Sequence, residues 1–145
     1  MGLEAIELGV PVKVGSHTFE AEEIIRFAEK YDPQPFHVDE AAARASHFGA
    51  LCASGWHTCS VWMRLTITNT RKNGGFSGIS PGTKAIRWMK PVYVGDTLEF
   101  FNEVTSKREM KTRPGWALIE VFSHADNQNG VRVFEMESTV LVPIA

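Results

Sequence analysis

Cysteine is scarce. Two thiols, Cys52 and Cys59, occur in 145 residues, both in one apolar stretch. That excludes a disulfide framework and fits reduced thiols in a cytoplasmic protein. Charge of one sign is also missing. The formal net charge is −2 with 22% charged residues, so nothing global attracts nucleic acid or an anionic membrane. No apolar run approaches the roughly 20 residues that span a bilayer. The opening "MGLEAIELGVPVKVG" lacks the basic and apolar regions of a signal peptide, and Ile6 stands where a myristoylation site has Ser or Thr. Repeats, low-complexity tracts and long linkers are absent. What remains is an ordinary globular composition, 43% hydrophobic, sufficient for one core and one domain over residues 1–145.

The pattern changes near residue 80. Before it, "EAEEIIRFAEKYD" (20–32) sets Ile24, Phe27 and Ala28 on one helical face, with Glu20, Glu22 and Glu23 at the positive end of the helix dipole. Pro33 ends that helix, because the residue before a proline avoids the α region. "DEAAARAS" (39–46) predicts a short second helix. "WHTCSVWMRLTITNT" (56–70) holds a single charged residue, Arg64, and apolar groups nearly all round, which predicts a helix buried on most sides. After the glycine-rich turn region "NGGFSGISPG" (73–82) come four alternating segments at 83–94, 97–107, 116–126 and 131–142, joined by short turns. Consecutive strands with short turns pair antiparallel, so the expectation is α+β: an antiparallel meander curled round one long helix.

"YDPQPFHVD" (31–39) places Asp32 and His37 five residues apart with two prolines between. Residues five apart do not share a helical face. If the two cooperate, the segment between them should be non-helical, and Pro33 and Pro35 favour an extended path. Such a stiff link suits an acid/base pair that must reach one proton or one water. An ordinary helix-ending loop, with Asp39 capping the next helix, uses the same residues. The second element is "ASGW" (53–56), which puts Gly55 at the start of the long helix. Free backbone N–H groups there favour negative charge, and glycine permits close approach. A tight loop-to-helix turn would look the same.

Together and in this order, the two elements resemble the MaoC-like dehydratases, the (R)-specific enoyl-CoA hydratases of the hotdog fold. Asp32, Pro35, His37 and Asp39 match the motif Asp-x-Asn-Pro-x-His-x-Asp. Phe48-Gly49, Gly55 and the "KPVYVGDTLEF" stretch (90–100) match later landmarks. The chain departs from the pattern at Gln34 (usually Asn), at Ser54 (often His) and at Met63 (often Ser). The resemblance implies a single hotdog domain that interconverts a trans-2-enoyl thioester and an (R)-3-hydroxyacyl thioester. Asp32 and His37 would hold the water, and the Gly55 N–H would polarise the thioester oxygen. Trp56, next to the glycine, suits a wall of the acyl pocket and core packing equally. The resemblance implies a coenzyme A or carrier-protein thioester as partner and a homodimer or larger assembly, with no metal or separate cofactor.

Other residues point elsewhere more weakly. His47, Cys52, His57 and Cys59 match no standard zinc spacing, and no base is evident beside Cys52. His17 and His124 read as surface or strand-end residues, and Trp62, Trp88 and Trp116 as core or interface. "KREMKTRPG" (107–115) and Arg87 are candidates for coenzyme A phosphates, with a solvated turn the simpler account of the former. Two rival functions remain: a thioesterase, against which the carboxylate-free helix argues, and a non-catalytic acyl-CoA-binding subunit.

Overall fold

The first helix begins on a reciprocal cap. In the computed structural model, which describes residues 2–75 and 78–144, α1 spans Ala21–Tyr31 with Glu20 as its N-cap. The Glu20 backbone N–H donates to Glu23 Oε1 at 3.0 Å, and the Glu20 side chain accepts from the Glu23 backbone, so two otherwise orphaned donors are satisfied. The helix stops at Asp32, ahead of Pro33, as expected. A one-turn helix, α2, then spans Pro35–Val38. This corrects the expected extended link. Pro35 occupies the first helical position, where its fixed φ is suited to a helix and its missing N–H costs nothing. Asp39 caps α3 (Glu40–Ala45) by accepting from the Ala42 N–H at 3.0 Å.

The long helix, α4, runs Gly55–Asn73, beyond its predicted end. Its β-branched last turns do not stop it; Gly74, at φ +80°, does. Of its side chains His57, Thr58 and Val61 are buried, whereas Trp56, Met63 and Ile67 are exposed. The expectation of burial on most sides is therefore corrected. The sheet covers one side of α4 and leaves an apolar side open.

The sheet has five strands: β1 (Val12–Thr18), β2 (Ile79–Trp88), β3 (Thr97–Glu109), β4 (Trp116–Asp126) and β5 (Arg132–Pro143). The spatial order is β1-β3-β4-β5-β2, with every pair antiparallel. Strands β3 to β5 form the expected meander. β2 does not join it; it lies on the far edge against β5. The segment predicted as one strand over 83–94 breaks at Trp88. Its second part turns back on the loop before α4: the Ala53 N–H donates to Val92 O at 2.8 Å, and Cys52 bridges Tyr93. β1 was not anticipated from the sequence. It pairs with β3 through an irregularity between Lys13 and Gly15. There α4 comes close, with Leu65 Cδ2 only 3.0 Å from where a side chain on Gly15 would begin. Phe76 and Ser77, in the expected turn region, lie outside the described residues.

Inward-facing residues recur at period two along β3 and β5, giving Leu98, Phe100, Phe134 and Met136 to a core shared with Phe19, Ile24 and Val61. Full burial of a Phe or Ile contributes about 1.5–3 kcal/mol each, so this cluster is what clamps α1 and α4 to the sheet.

Candidate active site

Asp32 lies at the C-terminal end of α1 and His37 on α2, so the bend between the helices decides their relation. His37 Nε2 stands 3.4 Å from Asp32 Oδ2. His37 is buried, and its Nδ1 is 2.6 Å from the carbonyl oxygen of Cys52. A carbonyl only accepts, so Nδ1 carries the proton and donates. In the neutral ring Nε2 is then a bare acceptor turned toward the carboxylate. Two acceptors facing one another at this distance need a shared donor, and a water resting against both fits that requirement.

The carboxylate is held from two sides. Gln34 Nε2 donates to Asp32 Oδ1 and Ser54 Oγ donates to Asp32 Oδ2, each at 2.7 Å. The longer amide at position 34 therefore still serves the acid. Ser54 is also the N-cap of α4, accepting from the Trp56 N–H at 3.3 Å. Gly55 is the first residue of that helix. Its N–H has no hydrogen-bond partner among the described residues and lies at the positive end of the helix.

These residues line a cleft of about 310 Å³ formed by Asp32, Gln34, Phe36, His37, Phe48, Gly55, Trp56 and Trp88. Trp88 was missed as a site residue. Its indole N–H donates to Gly55 O at 3.0 Å, and its ring meets Trp56 edge-on at 5.2 Å. It also explains the glycine: a Cβ on Gly55 would fall 2.5 Å from Trp88 Cε2. Nothing in the local sequence signals this contact, because Trp88 arrives on an edge strand 33 positions away.

Trp56 also lines a second, larger chamber of about 570 Å³ between α4 and the concave sheet. Met63, Ile67, Ile86, Val121, Met136 and Val140 make it mostly apolar. A polar knot stands at one wall: Trp62 Nε1 and Ser123 Oγ both donate to Asn102 Oδ1, at 2.8 and 2.7 Å.

The remaining titratable groups lie apart from this chemistry. Burial pushes the Cys52 and Cys59 thiols up to about 11, so neither is a thiolate nucleophile at neutral pH. No group of three metal-ligating side chains occurs among the described residues. His17 contacts both oxygens of Glu23 at 2.9 Å. His57 stacks on Phe27 and reaches Glu23 only at 3.6 Å; desolvation holds its pKa below the usual histidine value against the pull of Glu23. His124 lies two residues from the end of β4, in keeping with the strand-end reading, but is buried rather than on the surface, stacked on Phe101. Three of the coenzyme-phosphate candidates already have partners: Lys107 Nζ donates to Leu3 O and Ile6 O, Arg113 lies over Trp116, and Arg87 pairs with Glu137.

An acid and an imidazole converging beside the unpaired Gly55 N–H, next to an apolar chamber, are an arrangement chemically able to move a proton near a polarised oxygen. The family model described as "MaoC like domain" matches residues 6–119. The chain belongs to this family of MaoC-like dehydratases, and at that level its activity is that of a hydratase or dehydratase. A protein described as "Uncharacterized protein YdeM", from Bacillus subtilis (strain 168), is 34% identical over 146 residues, covering 98% of this chain and 99% of its own length. The MaoC-like dehydratase from Rhodospirillum rubrum superposes with a TM-score of 0.89 at 38% identity, covering 100% of this chain and 98% of the other. The (R)-hydratase from A. caviae involved in PHA biosynthesis gives 0.75 at 25% identity, covering 94% and 97%. The hotdog architecture expected from the resemblance is thereby shown. No helix among the described residues is long and apolar enough to cross a membrane.

Proposed function

We propose that the protein adds water to a trans-2-enoyl thioester to give an (R)-3-hydroxyacyl thioester, or catalyses the reverse. The observation that carries this is the Asp32–His37 pair at 3.4 Å, with its histidine tautomer set by Cys52 O. Water oxygen bonds to C3 while one of its protons passes to the pair. The C2=C3 electrons move toward the thioester carbonyl, whose oxygen accepts from the Gly55 N–H. C2 then takes a proton back from the pair. Closing this balance requires no redox cofactor or metal. The N–H matters because it is aimed where negative charge develops, in a site partly shielded from water.

The apolar chamber past Trp56 is the place we assign to the acyl group, with coenzyme A or a carrier-protein arm left outside. We further propose a homodimer. β2 is an edge strand whose residues are almost all exposed, and it flanks the open apolar side of α4. Two free, largely shielded cysteines suit the reducing cytoplasm. A thioesterase reading is disfavoured because α4 bears no Asp or Glu.

The test follows the ultraviolet absorbance of enoyl-CoA substrates of graded chain length, using wild type, Asp32→Asn and His37→Gln. Turnover by wild type alone supports the proposal. Binding without turnover across the panel would instead favour a non-catalytic acyl-CoA-binding subunit.

A further inference from the structure

One hydroxyl lies between the two halves of the site. Ser54 is wholly buried. Its single proton goes to Asp32 Oδ2 at 2.7 Å, and its lone pair takes the Trp56 N–H at 3.3 Å. Polarity thus runs one way, from the helix terminus through the hydroxyl into the carboxylate. Oδ2 is also the oxygen that faces His37 Nε2. Without Ser54, Asp32 would keep only the Gln34 amide on Oδ1, supplied by an exposed side chain. The carboxylate would then be free to turn away from the imidazole.

We infer that Ser54 is a positioning residue, which orients the Asp32 carboxylate toward His37 and ties it to the helix terminus bearing the Gly55 N–H. The kinetic part of this inference rests on the hydratase reading above. Ser54 is not a nucleophile here, since it is wholly buried and does not line the cleft. Among the described residues the groups around Asp32 are few: His37 from α2, Gln34 from the link and Ser54 from the N-cap of α4, with the Cys52 thiol touching only the far side of the imidazole at 3.8 Å.

The rival account is that Ser54 only caps α4. Two substitutions separate these roles. Ser54→Ala removes both the cap and the contact with Asp32. Ser54→Gly removes the same hydroxyl, but glycine is nearly as good an N-cap as serine, so the helix start is retained. If Ser54 positions the acid, both variants lose kcat by roughly 10–100-fold, the range expected for a hydrogen bond to a charged group, while KM changes about 3-fold or less. Recovery of wild-type kcat in Ser54→Gly would reduce the residue to a cap and overturn the inference. The second readout needs no turnover: the carbon-13 resonance of the Asp32 carboxyl at neutral pH. It should move in both variants, and an unchanged resonance also overturns the inference. If wild type hydrates no substrate in the panel, the hydratase reading fails and takes the kinetic role with it. The resonance then still decides whether Ser54 orients Asp32.

Discussion

Substituting Gly55 with alanine tests the site at its tightest point. Gly55 has no positive φ, so alanine meets no backbone strain there, and the whole cost is steric. The added Cβ would stand 2.5, 2.7 and 2.8 Å from Cε2, Nε1 and Cδ2 of Trp88. These are atoms of one half-exposed side chain, which can swing out. Doing so breaks the indole hydrogen bond to Gly55 O, about 1 kcal/mol net, and the edge-on contact with Trp56, about 0.5–1.5 kcal/mol. Alanine returns up to about 1 kcal/mol of helix propensity, less at a first-turn position. The balance is a destabilisation of about 1–2 kcal/mol, measured by urea unfolding followed by circular dichroism. In a Trp88→Ala background the obstacle is gone and the propensity gain remains, so Gly55→Ala becomes neutral or slightly stabilising. kcat/KM should fall at least about 10-fold in the single variant, since the displaced indole and the new methyl both crowd the cleft. An equal cost in both backgrounds would refute the assignment of Gly55 to the approach of Trp88.

The other expectations are separate. Asp32→Asn and His37→Gln each lower kcat by about 10²–10⁴-fold, the usual range for a general acid or base, with the fold retained by circular dichroism. Burial holds the folded-state pKa values of His57 and His124 below the ordinary histidine value of about 6.5, for His124 with help from Arg132. The unfolded chain therefore binds more protons below that pH. Stability should fall as pH drops from about 6.5 and be unaffected by these groups above it. His124→Gln should reduce the difference in urea midpoint between mildly acidic and neutral buffer; an unchanged difference would remove His124 from the account. With both thiols raised to about 11, iodoacetamide near pH 8 should leave Cys52 and Cys59 unmodified in the folded protein and alkylate both in denaturing urea, as read by mass spectrometry.

The chain's local chemistry settled a good deal. Pro33 after an amphipathic run dictates where α1 ends, whatever surrounds it. Asp39 caps α3 through its own side chain, and alternation along 97–107, 116–126 and 131–142 is enough for three neighbouring strands. Where a local rule allows two outcomes, the surroundings choose between them. A proline at the start of a turn suits an extended link or a first helical position, and α2 took the second. A nearly uncharged helix suits burial all round or burial on one side with an apolar flank left open, and α4 took the second.

What only the tertiary structure decided is where distant segments meet. The swing of β2 to the far edge of the sheet depends on residues 91–94 pairing with the loop before α4, a choice between partners with similar strand propensity. That swing carries Trp88 onto Gly55. The bend at Pro33 and Pro35 carries His37 under the Cys52 carbonyl, which sets its tautomer, and brings Asp32 within reach of Ser54. The sequence by itself determined which residues were able to act as acid, imidazole and helix terminus, because those properties belong to the side chains and to the chain's local stiffness. The distances between them, and the hydroxyl and indole that hold them, come from packing between segments far apart in the chain, which local spacing does not encode.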